Sequence, residues 1–231
     1  MVQRIFENRN LRNRTQVFRD RSAGGRVLAS LLQKQNELSG KVLAIPAGGI
    51  PVALELCESL KLPLNLMIVS KITFSWNSEA GYGALAYDGT YRLNDNVIRM
   101  LRMTPDEIQN GMEQTKKQVT DRLARLRKWH ESSEIEGETV LLVDDGLASG
   151  ITMHVAVEVA RNHNAKRVLV AIPTGHETSV KELASAADAV YCANIRDGSS
   201  FAVADAYREW YDLSDEMVDR LLSSNSCKQR R

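Results

Sequence analysis

The sequence predicts an α/β fold with a mostly parallel sheet flanked by helices on both faces. From residue 22 onward, segments with helical periodicity alternate with short apolar runs, which is typical of such a sheet. The 231 residues are 43% hydrophobic, enough for a substantial core, and 26% charged, as in ordinary globular domains. These observations favour a folded α/β domain over a disordered chain.

The first part of the chain supplies alternating helices and strands. Residues 22–35 carry a helical apolar stripe, and 41–46 form a short apolar run that ends at Gly48-Gly49. Residues 52–60 predict the next helix, and 64–69 predict the next strand. We therefore expect two strands separated by a helix, with a tight turn after the first strand.

Two segments before residue 131 stand apart from this alternation. Residues 73–90 have no period, so we expect a long loop, and loops of that length inside a domain are commonly functional. A charged helix is predicted over 104–131, where Thr104, Pro105 and Glu107 form an N-cap, a first-turn proline and a capping box. Either the outer face of this helix is simply solvated, or the helix is an arm that interacts with a partner.

The second half of the chain repeats the alternation more regularly. Residues 139–143 predict a buried strand, 151–161 a helix, 167–172 a strand, 179–187 a helix and 189–193 a final strand. Strands separated by helices of this length pair in parallel, so these segments belong to one sheet.

Composition excludes several classes of function. Thirty basic and twenty-nine acidic residues give a formal charge of +1, and aromatic residues make up 6%, so we expect no nucleic-acid partner. Cys57, Cys192 and Cys227 are too scattered for a disulfide framework or a Cys-x-x-Cys zinc site. Without an apolar leader or a long apolar run, we expect a cytoplasmic protein with no membrane partner.

The segment 140–153, VLLVDDGLASGITM, carries the chemistry. A buried strand delivers Asp144 and Asp145 to its carboxyl end, where open parallel sheets bind ligands. Adjacent carboxylates repel one another, and ribose hydroxyls or a hydrated Mg²⁺ would each stabilise the pair. The small residues that follow lead into a helix and predict an anion pocket, with Ser149 and Thr152 as extra donors. The alternative is an ordinary strand, an Asp-Gly turn and a helix cap.

This segment resembles the signature of the type I phosphoribosyltransferases, which bind 5-phosphoribosyl-1-pyrophosphate (PRPP). The resemblance implies that Asp144 and Asp145 hold the ribose hydroxyls and a Mg²⁺ ion. It also implies that the following residues surround the 5′-phosphate: Gly146, Leu147, Ala148, Ser149, Gly150, Ile151 and Thr152.

The resemblance covers most of the chain and is to a poorly characterised branch of the family. Five further segments match it: Phe18–Arg21 with Ala23-Gly24 (opening helix), 46–51 (pyrophosphate loop, in which Ala47, Gly48 and Gly49 are the candidate PRPP-binding residues), Lys71 (pyrophosphate-contacting lysine), 74–89 (mobile catalytic loop) and 201–213 (carboxyl end). We therefore expect one domain over 1–222, with a small hood from the N-terminal and 195–213 segments, and a disordered basic tail over 223–231.

The implied activity is Mg²⁺-dependent transfer of a phosphoribosyl group from PRPP to a nitrogenous base or similar small acceptor, with release of pyrophosphate. Asp144, Asp145, Lys71 and Glu79 are the candidate catalytic residues. Trp76, His176 and Phe201 are the candidate acceptor-binding residues. Trp76 and the tyrosines of 73–90 are alternatively packing anchors, His176 an ordinary loop residue, and the aromatics of 201–211 the core of a terminal helix.

Two positions depart from the pattern of that branch, which usually has an arginine where this chain has Ala47 and often a second basic residue where it has Ser70. Because a guanidinium suits a diphosphate, these changes favour a second hypothesis, a regulatory protein that binds PRPP without turnover. A third, an unrelated phosphoryl-transfer domain, has no Gly-x-x-x-x-Gly-Lys-Ser/Thr loop to support it. The resemblance also implies a homodimer.

Overall fold

The computed structural model describes residues 4–34, 39–130, 135–198 and 200–224. Their regular elements are numbered in chain order. The strands are β1 Ile5–Phe6, β2 Lys41–Ala44, β3 Leu64–Leu66, β4 Val69–Phe74, β5 Asn77–Ala86, β6 Tyr91–Leu93, β7 Thr139–Val143, β8 Arg167–His176 and β9 Ala189–Arg196. The helices are α1 Arg21–Leu32, α2 Gly49–Leu60, α3 Asp95–Leu101, α4 Pro105–Leu126, α5 Ile151–Asn162, α6 Glu177–Ala186 and α7 Asp215–Ser224.

Six strands form a parallel sheet in the order β1-β9-β8-β7-β2-β3. Successive side chains of β7 enter opposite cores: Leu141 and Val143 pack with α1 and α2, whereas Val140 and Leu142 pack with α5 and α6. A strand buried on both faces needs a continuous apolar run, and this is why 139–143 is so clear in the sequence. The predicted α/β class is confirmed.

The expectation of an irregular loop over residues 73–90 is wrong. β4, β5 and β6 pair in antiparallel fashion into a separate three-stranded sheet. The pairing of β4 with β5 shifts register on both sides of Thr73, and Gly81 and Gly83 stand where side chains of the neighbouring strands leave no room for a methyl group. Irregular register and small residues removed the alternation by which a strand is recognised.

Other boundaries also differ from those expected. The apolar run 64–69 contains all of β3 and only the first residue of β4, and β8 continues through the residues 173–176 expected to lie in a loop. The segment 201–211 contains a 3₁₀ turn over Val203–Ala206 instead of a helix. α3 was not predicted at all. α7 includes two residues of the expected tail, and 225–231 lie outside the described residues.

Helix α4 begins as the sequence predicts. The Thr104 hydroxyl accepts from the Glu107 N–H (3.3 Å), and Glu107 Oε2 accepts from the Thr104 N–H (2.8 Å). Hydrogen bonds to Thr104 hold the pKa of Glu107 below its usual range. Thr115, Val119 and Leu126 are buried where the helix packs against the rest of the domain.

The N-terminal segment and the 195–213 segment, from which we expect a hood, contact each other. Phe18 and Tyr207 form a parallel bridge, and the Phe18 N–H donates to the Ala206 carbonyl (3.0 Å). Within the part of the chain that the structure describes, no helix is long and apolar enough to cross a membrane.

Replacing Thr104 by alanine removes the hydrogen bonds of its hydroxyl with the Glu107 N–H (3.3 Å) and with Glu107 Oε2 (2.9 Å), so we expect the free energy of unfolding to fall by about 1 kcal/mol. Chemical denaturation measures this change. Thr104→Ser keeps the hydroxyl and should stay close to the wild type, and equal losses in both variants would contradict the capping role.

Candidate active site

The predicted motif lines a cavity at the carboxyl edge of the parallel sheet. Asp144 and Asp145 directly follow β7, beside the end of β2, because Ala44 and Val143 are register partners. The cavity has a volume of about 410 Å³. Its walls are Lys71, Ala80, Gly81, residues 144–153 and Val203. This is the edge at which open parallel sheets bind ligands.

The loop between β7 and α5 is fixed against β8. The Leu147 N–H donates to the Thr174 carbonyl (3.0 Å), and the His176 N–H donates to the Leu147 carbonyl (2.9 Å). Gly150 has a φ of +76°, which a residue without a Cβ adopts readily, and α5 starts at the next residue. The first turn of α5 therefore lines the cavity, and the positive end of its dipole favours an anion there.

The two carboxylates are electrostatically coupled. Burial raises the pKa of Asp144 well above its usual range, and the charge of Asp145 raises it further. The Asp145 N–H donates to Asp144 Oδ1 (2.8 Å), which lowers that pKa, as do the charges of Arg21 and Lys71. Burial also raises the pKa of Asp145, against the opposing effect of Arg21. A bound cation or hydroxyl donors would stabilise the ionised form of these two carboxylates.

Arg21 belongs to this site, and sequence reasoning missed it there. Its Nε donates to Asp145 Oδ2 (2.7 Å), and its guanidinium group is 3.8 Å from the centre of the Trp210 ring. The Tyr207 hydroxyl donates to the Asp145 carbonyl (2.5 Å). The motif Phe18–Arg21 predicted a helix start, which is correct, but no spacing rule connects Arg21 with a residue 124 positions away.

The turn between β2 and α2 packs directly against the motif. A methyl group on Gly48 would overlap Asp145 Oδ2, and one on Gly49 would overlap the Val143 carbonyl. The Gly49 N–H donates to the Ile45 carbonyl (3.0 Å) within the turn. The two glycines therefore allow close approach of the turn to the carboxylates, which places the predicted pyrophosphate loop beside the cavity.

The two positions that depart from the family pattern have different surroundings. Ala47 packs against the apolar core on the α1 and α2 side of the sheet. The Ser70 hydroxyl is buried and accepts from Arg122 of α4 (3.3 Å). Neighbouring residues on a strand face opposite sides, so Lys71 lines the cavity while Ser70 faces α4. The change at Ser70 is therefore not on the cavity side of β4.

The three candidate acceptor-binding residues lie in two places. Trp76 is 64% exposed, stacks on Phe74 with ring centroids 5.0 Å apart and lines a smaller cavity of about 180 Å³. His176 ends β8 and meets Phe201 edge to face at 5.7 Å. The side chain of Glu79, a candidate catalytic residue, lies outside the described residues.

The tyrosines of the 73–90 segment are packing residues. Tyr82 is buried in the small core between the hairpin and α4. Tyr87 lies edge to face with His130 at 4.1 Å, and burial raises its pKa to about 12. The structure therefore supports the interpretation of these two tyrosines as packing anchors.

Comparison with known families identifies the class of protein. The model of the phosphoribosyl transferase domain matches residues 20–207, and the chain therefore belongs to that family. The match includes the turn after β2, Lys71 and the whole of the segment that follows β7.

Two curated relatives come from strains of Mycobacterium tuberculosis: "Putative phosphoribosyl transferase Rv0571c" in H37Rv and "Putative phosphoribosyl transferase MT0597" in CDC 1551. Each is 35% identical over 205 residues, which is 87% of this chain and 45% of the relative. The chain thus spans about half the length of these relatives. The crystal structure of TT1426 from Thermus thermophilus is similar to this chain with a TM-score of 0.69 at 28% identity, over 89% of this chain and 97% of that one.

Gly48→Ala places a methyl group against Asp145 Oδ2, so we expect it to lower the free energy of unfolding by about 1–3 kcal/mol. Chemical denaturation provides the measurement. The control is Gly198→Ala, where the nearest atom to an added Cβ is 3.7 Å away, and it should change stability by less than about 0.5 kcal/mol. An unchanged free energy of unfolding in Gly48→Ala would show that the turn is not in tight steric contact with Asp145.

Asp144→Asn should stabilise the ligand-free protein near pH 8. Burial raises the pKa of Asp144, so its ionisation opposes folding above that raised pKa, and the opposition vanishes below the unfolded value of about 3.9. Each unit by which the pKa is raised on folding corresponds to about 1.4 kcal/mol. We therefore expect the free energy of unfolding to rise by about 1 kcal/mol or more, and this increase should disappear as the pH falls towards 4.

The matched variant Asp145→Asn should be less stable than Asp144→Asn. It also removes the ion pair of the buried Arg21, so we expect a difference of about 3–5 kcal/mol between the two variants near pH 8. Denaturation curves of both variants across this pH range test the pair, and equal stabilities would contradict the distinction between the two carboxylates.

Proposed function

We propose that this chain is a Mg²⁺-dependent phosphoribosyltransferase that transfers the phosphoribosyl group of PRPP to a nitrogenous base or similar small acceptor and releases pyrophosphate. The observation that carries the proposal is a cavity lined by Asp144, Asp145, Lys71 and the first turn of α5. Paired carboxylates can accept hydrogen bonds from the hydroxyls of a sugar phosphate. A cationic side chain and a helix N-terminus can bind its phosphate and diphosphate groups.

Each part of PRPP has a counterpart in this cavity. The 5′-phosphate would be bound by the loop over 146–150 and the start of α5, where the helix dipole favours negative charge. The vicinal ribose hydroxyls would donate to Asp144 and Asp145. The diphosphate would lie between Lys71 and the turn at Gly48, which contacts Asp145.

The donor set of the cavity suits Mg²⁺. This ion prefers oxygen ligands and is commonly held by one or two carboxylates together with substrate phosphates. Asp144 and Asp145 would hold it, and when bound it would neutralise charge on the departing diphosphate. Across the described ranges, no cluster of three or more His, Cys, Asp or Glu side chains could hold a metal, so the ion would need further oxygen ligands from PRPP and water.

The chain's own residues would act mainly by orientation and electrostatics. An acceptor nitrogen attacks C1 of the ribose, the bond from C1 to the diphosphate oxygen breaks, and the ring passes through an oxocarbenium-like state. Asp144 and Asp145 would fix the sugar, and Lys71 would stabilise the leaving diphosphate. Ala80 and Gly81 of β5 form one wall of the cavity, so the hairpin would exclude water that hydrolyses the sugar.

The acceptor would enter from the side of the carboxyl-terminal segment. Val203 lines the cavity and packs against Gly146, where an added methyl group would overlap the valine side chain. Phe201 lies two residues before it in the same segment and contacts His176. These side chains provide apolar and aromatic surface for a flat base. Trp76 lies on the hairpin of β4 and β5 and would contact the acceptor from there.

A second candidate function is PRPP binding without turnover, in a regulatory protein. Ala47 favours it, because this side chain packs into the core and brings no positive charge to the turn beside the proposed diphosphate position. Binding would then depend on the carboxylates and the loop before α5, and pyrophosphate release would not follow.

Pyrophosphate release from PRPP and Mg²⁺, measured across a panel of purines, pyrimidines and other amines, tests the proposal. We expect release with at least one acceptor, and a loss of about tenfold or more in PRPP affinity for Asp144→Asn, since hydrogen bonds to a charged group are removed. The control is Asp121→Asn on the exposed face of α4, which should match the wild type.

The same assay separates the two candidates. Binding of PRPP, measured by calorimetry, without release under any condition would favour the regulatory protein. A wild-type protein that neither binds PRPP nor releases pyrophosphate would contradict both.

A further inference from the structure

Arg21 is buried in the centre of the site. Its residue exposure is 7%, and its guanidinium group has three partners. Nε donates to Asp145 Oδ2 (2.7 Å), Nη1 donates to the Tyr211 carbonyl (2.8 Å), and the Trp210 ring covers one face at 3.8 Å. A planar guanidinium held in this way has little freedom to turn.

These contacts fix the orientation of Asp145. Arg21 and the Gly48 turn meet the same carboxylate oxygen, Oδ2. The Tyr207 hydroxyl holds the backbone carbonyl of Asp145 from the other side (2.5 Å). The carboxylate is therefore held by α1 and by the turn after β2, and the backbone of the same residue is held by the carboxyl-terminal segment. Asp144 has a different environment, in which one carboxylate oxygen accepts from the Asp145 N–H (2.8 Å) and the charges of Arg21 and Lys71 lower its pKa.

We infer that Arg21 is a positioning residue that holds the Asp145 carboxylate in the orientation needed to accept hydrogen bonds from the ribose hydroxyls. The inference rests on the proposed function and extends it to the class of sugar. A carboxylate with one fixed direction distinguishes a ribose 5-phosphate from a 2-deoxyribose 5-phosphate, because the latter lacks one donor. A carboxylate free to rotate loses part of that distinction.

The 5′-phosphate provides an internal reference for this role. It would bind at the loop before α5, which is held by β8 through Leu147 and has no contact of its own with Arg21 among the hydrogen bonds of the described residues. A change at Arg21 should therefore affect recognition of the sugar and leave most of the phosphate affinity in place. General damage to the fold would weaken both sugar phosphates equally.

The experiment compares the affinities of ribose 5-phosphate and 2-deoxyribose 5-phosphate, in the presence of Mg²⁺, by calorimetry. We expect the wild type to favour ribose 5-phosphate by about tenfold or more, the value of one hydrogen bond to a charged group. Arg21→Met should reduce this preference to about one, with the affinity for 2-deoxyribose 5-phosphate nearly unchanged.

Two further variants keep the test decisive if Arg21→Met folds poorly. Arg21→Lys retains the charge and should recover part of the preference, although it lacks the planar group that donates to Asp145 and to the Tyr211 carbonyl at once. Trp210→Leu removes the ring that covers the guanidinium group and should lower the preference while the ion pair remains. The control is Arg26→Met on the same helix, where the exposed arginine pairs with Glu55, and it should leave the preference intact.

The outcomes separate this inference from the proposed function. If the wild type distinguishes the two sugars and all Arg21 and Trp210 variants distinguish them equally well, the positioning role is wrong and PRPP binding is unaffected. If the wild type does not distinguish the sugars at all, the positioning role is also wrong. If the preference depends on Arg21 but no acceptor supports pyrophosphate release, the positioning role is supported and the transferase activity is contradicted.

Discussion

The partial burial of two adjacent carboxylates at the end of β7 is the constraint on which the rest of the site depends. Two negative charges in a pocket of low dielectric oppose folding unless other groups stabilise them. Arg21 from α1 and Lys71 from β4 stabilise these charges, and a backbone N–H donates to Asp144. Elements distant in sequence therefore meet at this edge of the sheet because each brings a group that the carboxylates require.

The overall charge of the chain gives little information about such a site. Thirty basic and twenty-nine acidic residues nearly cancel, which speaks against a broadly basic surface for a polyanion. At the site itself, however, the charge that matters comes from two side chains and a helix end, so a strongly anionic ligand is compatible with a neutral protein. Several other arginines near the N-terminus are used elsewhere, for example Arg12 with Glu7 and Glu177.

The parts of the fold that the sequence predicts well are those with a local cause. β7 was predicted to the residue because an apolar strand is bounded by an Asp pair, and the start of α4 because Thr104 and Glu107 form a local capping box. The hairpin of β4 and β5 was missed because its pairing is irregular and glycine-rich. The additional length of β8 was missed because proline and glycine at 173 and 175 suggested a turn, whereas both are buried beside β9.

The residues of the candidate site can also be divided into those with a local signal in the sequence and those without one. Asp144, Asp145 and the loop before α5 form one continuous segment, so their placement follows from the strand that carries them. Lys71 reaches the same cavity, as the family resemblance implied. Arg21 and Val203 could not be predicted, because their positions depend on how α1 and the carboxyl-terminal segment close over the sheet, and no local pattern encodes a contact of that range.

The bridge between Phe18 and Tyr207 has a consequence for the order of assembly. The central strands and the loop before α5 are synthesised well before residues 207–211, which complete the surroundings of Arg21 and Asp145. A chain still emerging from the ribosome can therefore form much of its sheet while the carboxylates lack their final partners. The contacts that surround Arg21 and Asp145 are consequently complete only when the carboxyl-terminal segment has docked on the sheet.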